Sequence, residues 1–501
     1  MDYKKLQNGS DIRGVALEGI EGQNVNLTED VCRDIGRGFA LWLTKKTGKT
    51  EGVRVAIGRD SRLSGENLAK WLSSALVEQG IDVTDFGMAS TPAMFMATVT
   101  EGYNFDGTVM ITASHLPFNR NGFKFFTNAG GLESSDIKEI LAFAESDEKT
   151  GLCQGKYRTG EFMDKYSEIL ADKIRAATGE ERPLEGFKIV VDAGNGAGGF
   201  YVDKVLKPLG AETAGSRFLD PDGSFPNHIP NPENKEAMES ITEAVRETSA
   251  DLGIIFDTDV DRAGAVLSDG SELNRNRIIA MLSAILLREH PGTTIVTDSI
   301  TSEGLAKFIA EKGGIHHRFK RGYRNVINES IRLNKEGHDS QLAIETSGHG
   351  ALKENYFLDD GAYLVTKLLI ELARGRKNGY TLESLIETLE EPAESVEFRM
   401  NIELSDFKEY GQNVIEELKA YAEKKEGWSL APSNFEGVRV NLDKTCGNGW
   451  FLLRLSLHDP LLPLNIESAD VGGAKKIVGE LSAFIAQYDK LDAKTLLDFA
   501  K

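Results

Sequence analysis

A serine at the end of a β-rich run, three aspartates at alternate positions and a Glu-x-Ser-x-His series are the groups in this chain whose types and spacing suit chemistry. In TASHLPFNRNGFKFF (112–126), a strand predicted over GTVMITAS (107–114) ends at Ser114. Pro117 and the Asn/Gly cluster prevent a helix, which leaves the hydroxyl on an exposed turn beside His115 and Lys124. A hydroxyl with a cation nearby suits a phosphoryl carrier; a loop that simply turns the chain is the alternative that a Ser-His pair leaves open.

DTDVDR (257–262) follows the apolar strand GIIF. Asp257, Asp259 and Asp261 supply three hard oxygen ligands within one turn, suited to a small divalent cation with an open position for a phosphate oxygen, and Arg262 adds a charged fork. An EF-hand fails here, because its sixth position is Arg262 rather than Gly and its twelfth is Ser268 rather than Glu. A solvated acidic turn is the bland alternative. In IETSGHGALKENYFLDDG (344–361), alternation along a strand end directs Glu345, Ser347 and His349 to one face, an arrangement suited to gripping sugar hydroxyls. DIRG (11–14) and GRDSR (58–62) offer Arg13, Arg59 and Arg62 to phosphate, although single arginines often form surface ion pairs. Gly194, Gly196 and Gly199 have GxGxxG spacing between a strand and a helix, yet the acid that would bind ribose, Asp220, is followed by a Pro/Asn-rich loop; a tight strand-helix turn explains the glycines equally well.

The elements that must position these groups alternate short β-branched runs with longer helical patterns, which predicts α/β layers on mixed, mostly parallel sheets. Strands are expected at 53–60, 81–87, 187–193, 250–256, 293–299 and 341–345. Helices are expected over 64–80, capped by Ser64, and from about Glu161, Gly199, Ile278 and Ser302. Polar stretches and a later change of texture predict α/β domains at 1–158, 159–271 and 272–393, then a smaller α+β domain at 394–501 with hairpin-like strands and a closing helix.

The chain has 501 residues, and 58 Lys+Arg against 78 Asp+Glu give a formal charge of −20. Such a chain repels nucleic-acid backbones, so an anionic substrate must be gathered by a local cluster of Arg and Lys. Cys32, Cys153 and Cys446 are far apart and lack CxxC spacing or His partners, which argues against a zinc finger or disulfide framework and fits a reducing compartment. With no apolar leader and no run of about 18 apolar residues, the expectation is a cytoplasmic protein without membrane contact.

DIRG, GRDSRLSG, TASHLPFNRNGFKFF, DTDVDR, ETSGHG and RLSLHDP occur in the order and approximate spacing of the α-D-phosphohexomutase family, the phosphoglucomutases and phosphomannomutases, and the chain resembles that family over nearly its whole length. The resemblance implies four domains around a central cleft, each contributing one loop. It implies that Ser114 is a phosphoserine neighboured by His115 and Lys124, with Arg13, Arg262 and His349 in the catalytic set. It implies Mg²⁺ held by Asp257, Asp259, Asp261 and the phosphoserine. Glu345 and Ser347 would bind sugar hydroxyls, the loop KRGYRN (320–325) with Arg321, Gly322, Tyr323 and Arg324 would discriminate the sugar, and Arg454 and Ser456, with His458 in the same loop, would clamp the distal phosphate.

The implied reaction interconverts hexose 1-phosphate and hexose 6-phosphate through a hexose 1,6-bisphosphate, storing the phosphoryl group on Ser114 between two transfers. His349 and Lys124 are both candidates to accept the proton of the attacking hydroxyl. Where the family usually carries RxSGTEPKxRVYxE, this chain reads RLSLHDPLLPLNIE (454–467), with Leu457 for Gly, His458 for Thr and Pro463 for the second Arg. Losing a hydroxyl and a guanidinium strips donors from the phosphate site. Weaker grip admits a second activity, a hexose 1,6-bisphosphate synthase recharged by another phosphorylated donor. A non-catalytic sugar-phosphate sensor would not need the intact Ser114, Lys124 and three aspartates. An oxidoreductase would need the 194–199 glycines to bind a dinucleotide.

Overall fold

The computed structural model describes residues 2–500 except 152, 433, 457 and 458. Two compact units emerge, Met1–Ile285 with Ser347–Leu385, and Leu286–Thr346 with Ile386–Lys501.

In the first unit, a parallel centre of Gly107–Ile111, Arg54–Arg59, Asp82–Met88 and Tyr157–Thr159 is extended by antiparallel Arg120–Thr127 and Asp11–Val15, and by the short strands Gly130–Gly131 and Gln7–Asn8 paired to them, into an eight-stranded mixed sheet. Helices Glu29–Thr47, Gly65–Glu78 and Ser134–Ala144 pack Phe39, Leu43, Leu72 and Ile140 onto Ile57, Val109 and Phe125 of that sheet. Burying these side chains is the main favourable term holding the layer together. Ser64 does precede the second of those helices, but its backbone is already helical and its side chain makes no cap bond; its hydroxyl accepts from Asn121 Nδ2 at 2.8 Å. The strand leading to Ser114 ends at Ile111, three residues earlier than expected.

A second, four-stranded mixed sheet pairs Ile189–Asp192 parallel to Leu252–Phe256, which forms an antiparallel hairpin with Ala263–Leu267. With Phe256 opposite Ala263, the connection of this hairpin is DTDVDR itself. In place of the helix expected after Gly199 there is a π-helical turn, Val202–Leu206, in which the Lys207 amide bonds to Val202 O five residues back. Pro208, lacking an amide hydrogen, cannot continue it.

In the second unit, Thr294–Thr297 lies parallel between Ile315–Arg318 and Ser340–Ile344, with helices Glu303–Glu311 and Tyr323–Lys335. Ser302 caps the first of these, accepting from the Leu305 amide at 3.0 Å. The C-terminal part is a wholly antiparallel six-stranded sheet with helices Phe407–Ala422 and Gly473–Ile485 packed on it. The fold is thus three α/β layers with mixed sheets and a further α+β part, as the alternation predicts. Hairpins add more antiparallel pairing than "mostly parallel" implies. Among the described residues no helix is long and apolar enough to cross a membrane.

Candidate active site

Ser114 sits past the end of Gly107–Ile111 with φ +50°, a left-handed conformation that a non-glycine residue adopts only under constraint. Thr112 Oγ1 accepts its amide hydrogen at 2.8 Å, and Arg62 Nη2 donates to its carbonyl. Contrary to the exposed turn expected, Ser114 is only 7% accessible, because the DTDVDR loop covers it. Its Oγ donates to Asp257 Oδ2 at 2.8 Å and accepts from Arg262 Nη2 at 3.0 Å, while His115 Nδ1 lies 3.4 Å away. The same Arg262 nitrogen donates to His115 Nδ1 at 2.6 Å. Burial first, and then Arg262, push the His115 imidazolium down to about 3, so this ring is neutral and accepts.

The three aspartates are fully buried and their oxygens gather within 4.8 Å of one another. The loop achieves this through Val260, whose φ of +66° is exceptional for a β-branched residue and is held by the Gly361 amide on its carbonyl at 3.1 Å. Lys124 Nζ donates to Asp259 Oδ2 at 3.0 Å and also bonds Asp261. Burial opposes its charge, but Asp259 and Asp261 outweigh that and hold the ammonium well above its usual range. Burial, reinforced by Asp261 and Asp259, raises Asp257 well above the carboxylate range. For Asp261, burial is overcome by Lys124, His349 and Arg262, which hold it far below. Asp259 Oδ1 and Asp261 Oδ1 are buried without a hydrogen-bond partner among the described residues. Orphaned hard oxygens in a cage of like charges are what a divalent cation satisfies, so the residues fit one.

Arg13 ties down the segment before Ser114, donating to Thr112 O at 2.7 Å and to Asp11 at 2.8 Å. The His349 backbone makes an isolated antiparallel β-bridge with that of Arg262, and its side chain pairs through Nδ1 with Asp359 Oδ2 at 2.6 Å, 3.9 Å from Asp261. Burial lowers its basicity, but Asp359 and Asp261 reverse the sign and raise it to about 9. Both sequence candidates for the proton acceptor, Lys124 and His349, therefore carry protons here. The one-face placement of Glu345, Ser347 and His349 does not hold. Their strand stops at Ile344, and Gly348 has φ +92°, so strict alternation has no strand to run along. Ser347 is buried in the first unit and Glu345 belongs to the second.

In the second unit, Gly322, with φ +109°, precedes the helix opened by Tyr323 and Arg324 and donates its amide to Glu345 Oε1 at 2.6 Å. Arg321 Nε lies 3.6 Å from Asp298, and Arg454 Nη1 3.9 Å from Glu436. Ser456 lies in the turn after Gly449–Leu453, its amide on Leu461 O at 3.1 Å and its hydroxyl accepting from the Asp459 amide. His458 and Leu457 lie outside the described residues.

The GxGxxG turn is consumed by the fold. Amides of Gly194, Asn195, Gly196 and Ala197 bond to Asp192, Phe218, Ala193 and Thr258, and a Cβ on Gly196 would lie 2.7 Å from Thr258 O. These glycines let the turn close onto the aspartate loop and leave none of those amides for a pyrophosphate.

Sequence reasoning missed Thr91 and Asp359, and it offered Arg59 and Arg62 to phosphate, whereas both are engaged within the fold. Thr91 bonds Asp259, and Asp359 orients His349, with no local signature for either. Arg59 forms ion pairs with Glu66 and Asp85. Arg62 is fully buried and donates to Pro117 O and Arg120 O at 2.8 and 3.0 Å and to Leu116 O at 2.6 Å, besides Ser114 O. It is therefore the clamp of the serine loop. Arg62→Ala strands those carbonyls and Asp60; we expect a loss of about 3–5 kcal/mol in urea denaturation, with Arg62→Lys failing to rescue because an ammonium lacks the planar fork.

Comparison with known proteins accords with this geometry. Family models described as phosphoglucomutase/phosphomannomutase α/β/α domains I, II and III match residues 4–151, 164–270 and 274–392. A phosphoglucomutase of Neisseria gonorrhoeae is 32% identical over 94% of this chain and 95% of its own, and a phosphomannomutase/phosphoglucomutase of Pseudomonas putida is 32% identical over 86% and 87%. The crystal structure of a phosphoglucomutase/phosphomannomutase family protein from Burkholderia thailandensis covers 98% of this chain and 100% of its own at 29% identity, with a TM-score of 0.79. With matched domains that span most of the chain and relatives aligned nearly end to end, this chain belongs to the phosphoglucomutase/phosphomannomutase family and is a phosphohexomutase-type enzyme.

Proposed function

We propose that the protein interconverts hexose 1-phosphate and hexose 6-phosphate by Mg²⁺-dependent phosphoryl transfer through phosphorylated Ser114, with hexose 1,6-bisphosphate as intermediate. The observation that carries this reading is the seat of Ser114 Oγ, 2.8 Å from one carboxylate of a three-aspartate cage and 3.0 Å from the Arg262 guanidinium. Asp257, Asp259 and Asp261 would hold the cation together with the phosphoserine. When bound, the cation supplies positive charge to the equatorial oxygens of the transferring group.

The chain's own residues do the rest. Arg62 and Arg13 fix the serine loop, and Arg262 and Lys124 add charge where the phosphoryl oxygens gather. His115 Nδ1 accepts from Arg262 and so helps to aim that guanidinium at Ser114 Oγ. Arg321, Gly322, Tyr323, Arg324, Glu345 and Ser347 recognise the sugar, and Arg454, Ser456 and His458 grip the distal phosphate. The same reading assigns four domains, at 1–158, 159–271, 272–393 and 394–501, and a cytoplasmic enzyme, in keeping with the free thiols of Cys32, Cys153 and Cys446.

Phosphorus NMR with glucose 1-phosphate or mannose 1-phosphate, Mg²⁺ and a trace of bisphosphate tests it. The expected result is conversion to the 6-phosphate with bisphosphate remaining catalytic. Stoichiometric accumulation of bisphosphate from a second phosphorylated donor would make the protein a synthase instead, and no transfer at all would refute both.

A further inference from the structure

In the C-terminal sheet, Gly437 stands immediately before strand Val438–Leu442, whose first residue pairs with Leu453. Its φ is +61°, and a Cβ there would lie 2.1 Å from Leu453 O and 2.8 Å from Arg454 Cα. Glycine lets the two segments close at this point. The closure brings the preceding residue, Glu436, to the guanidinium of Arg454.

The two carboxylate oxygens of Glu436 have different work. Oε2 accepts from Ser299 Oγ at 2.6 Å and from the Arg321 amide at 3.1 Å, while Oε1 faces Arg454 Nη1 at 3.9 Å. Arg439, on the same strand and stacked 3.6 Å from the centre of the Trp450 ring, donates to Ser299 O at 2.8 Å. Ser299 is thus gripped at its carbonyl by Arg439 on the strand and at its hydroxyl by Glu436 just before it, which pins Glu436 in place. The side chains of Glu436 and Arg454 are 16% and 13% exposed, so water screens their interaction only partly. Arg321 is faced in the same way by Asp298 at 3.6 Å. Two cations confront two carboxylates before any phosphate arrives.

We infer that Glu436 is a positioning residue that limits the phosphate affinity of Arg454. One oxygen fixes the backbone of the sugar loop, and the negative charge on the other opposes an incoming phosphate dianion, weakening the grip on mono- and bisphosphates alike and speeding their release. The inference rests on the proposal that Arg454 binds a substrate phosphate.

The test is calorimetric titration of the full-length protein with glucose 6-phosphate, alongside steady-state kinetics. Glu436→Gln keeps an oxygen for Ser299 and the Arg321 amide but removes the charge. It should bind roughly fivefold tighter, with KM and kcat both falling because release slows. Glu436→Asp, which keeps the charge, should stay near wild type. Arg454→Ala should bind at least about tenfold more weakly. A Glu436→Gln variant that binds no tighter than wild type overturns the inference. An Arg454→Ala variant with wild-type affinity removes its premise, and wild-type protein that binds no hexose phosphate overturns both inference and proposed function. Wild-type protein that binds hexose phosphate but never isomerises it overturns only the proposed function, and the Glu436→Gln affinity then still decides the inference.

Discussion

Ser114→Ala should abolish hexose phosphate interconversion, by at least about 10⁴-fold in kcat, while the protein stays folded. Every transfer in the proposed cycle begins or ends on Ser114 Oγ, which has an aspartate at 2.8 Å and a guanidinium at 3.0 Å. The substitution removes the hydrogen bonds of Oγ to Asp257 and from Arg262 and leaves in place the contacts that shape the loop, namely the Thr112 bond to the residue 114 amide and the Arg62 bond to its carbonyl. The expected stability change is therefore within about 2 kcal/mol, measurable by urea denaturation. Intact-mass spectrometry after incubation with a hexose bisphosphate should find a single phosphoryl adduct of about 80 Da on wild-type protein and none on the variant. A folded variant that keeps full activity would mean that phosphorus travels by another route.

The second large effect is expected at the aspartate cage. Asp259→Asn preserves shape but removes a charge that Lys124 Nζ meets at 3.0 Å, and it neutralises the residue whose Oδ1 is buried and unpartnered. With that charge gone, Lys124 competes more strongly for Asp261, and the cage offers a divalent cation two carboxylates in place of three. We expect turnover to fall about 10³-fold and the Mg²⁺ concentration for half-maximal activity to rise at least tenfold. Chelation of wild-type protein should abolish turnover reversibly. Magnesium titrations that superimpose for wild type and Asp259→Asn would show that the cage does not hold the working metal.

Sequence and structure diverge where a side chain's role depends on what lies across the fold. Arg62 was legible as a cation beside a β-strand, but its role as the clamp of the serine loop arises only when residues 114–120 fold back over it. Thr91 and Asp359 carry no local signature at all. Glu345, Ser347 and His349 resemble one strand face in sequence, but the strand ends at Ile344, before the first of them.

What the sequence by itself determined was the order of α/β elements, the identity of the serine and aspartate loops and the family. Those rest on short-range properties: β-branched runs that favour strands, Pro, Gly and Asn that break helices, and motif spacings that survive without knowledge of contacts. Tertiary structure alone decided that Ser114 is buried, that Asp257 reaches it, that the 194–199 glycines serve packing, and that Glu436 faces Arg454. Each of those outcomes is a contact between residues far apart in the chain, as between Ser114 and Asp257, and desolvation and charge pairing act through space, where no local pattern encodes them.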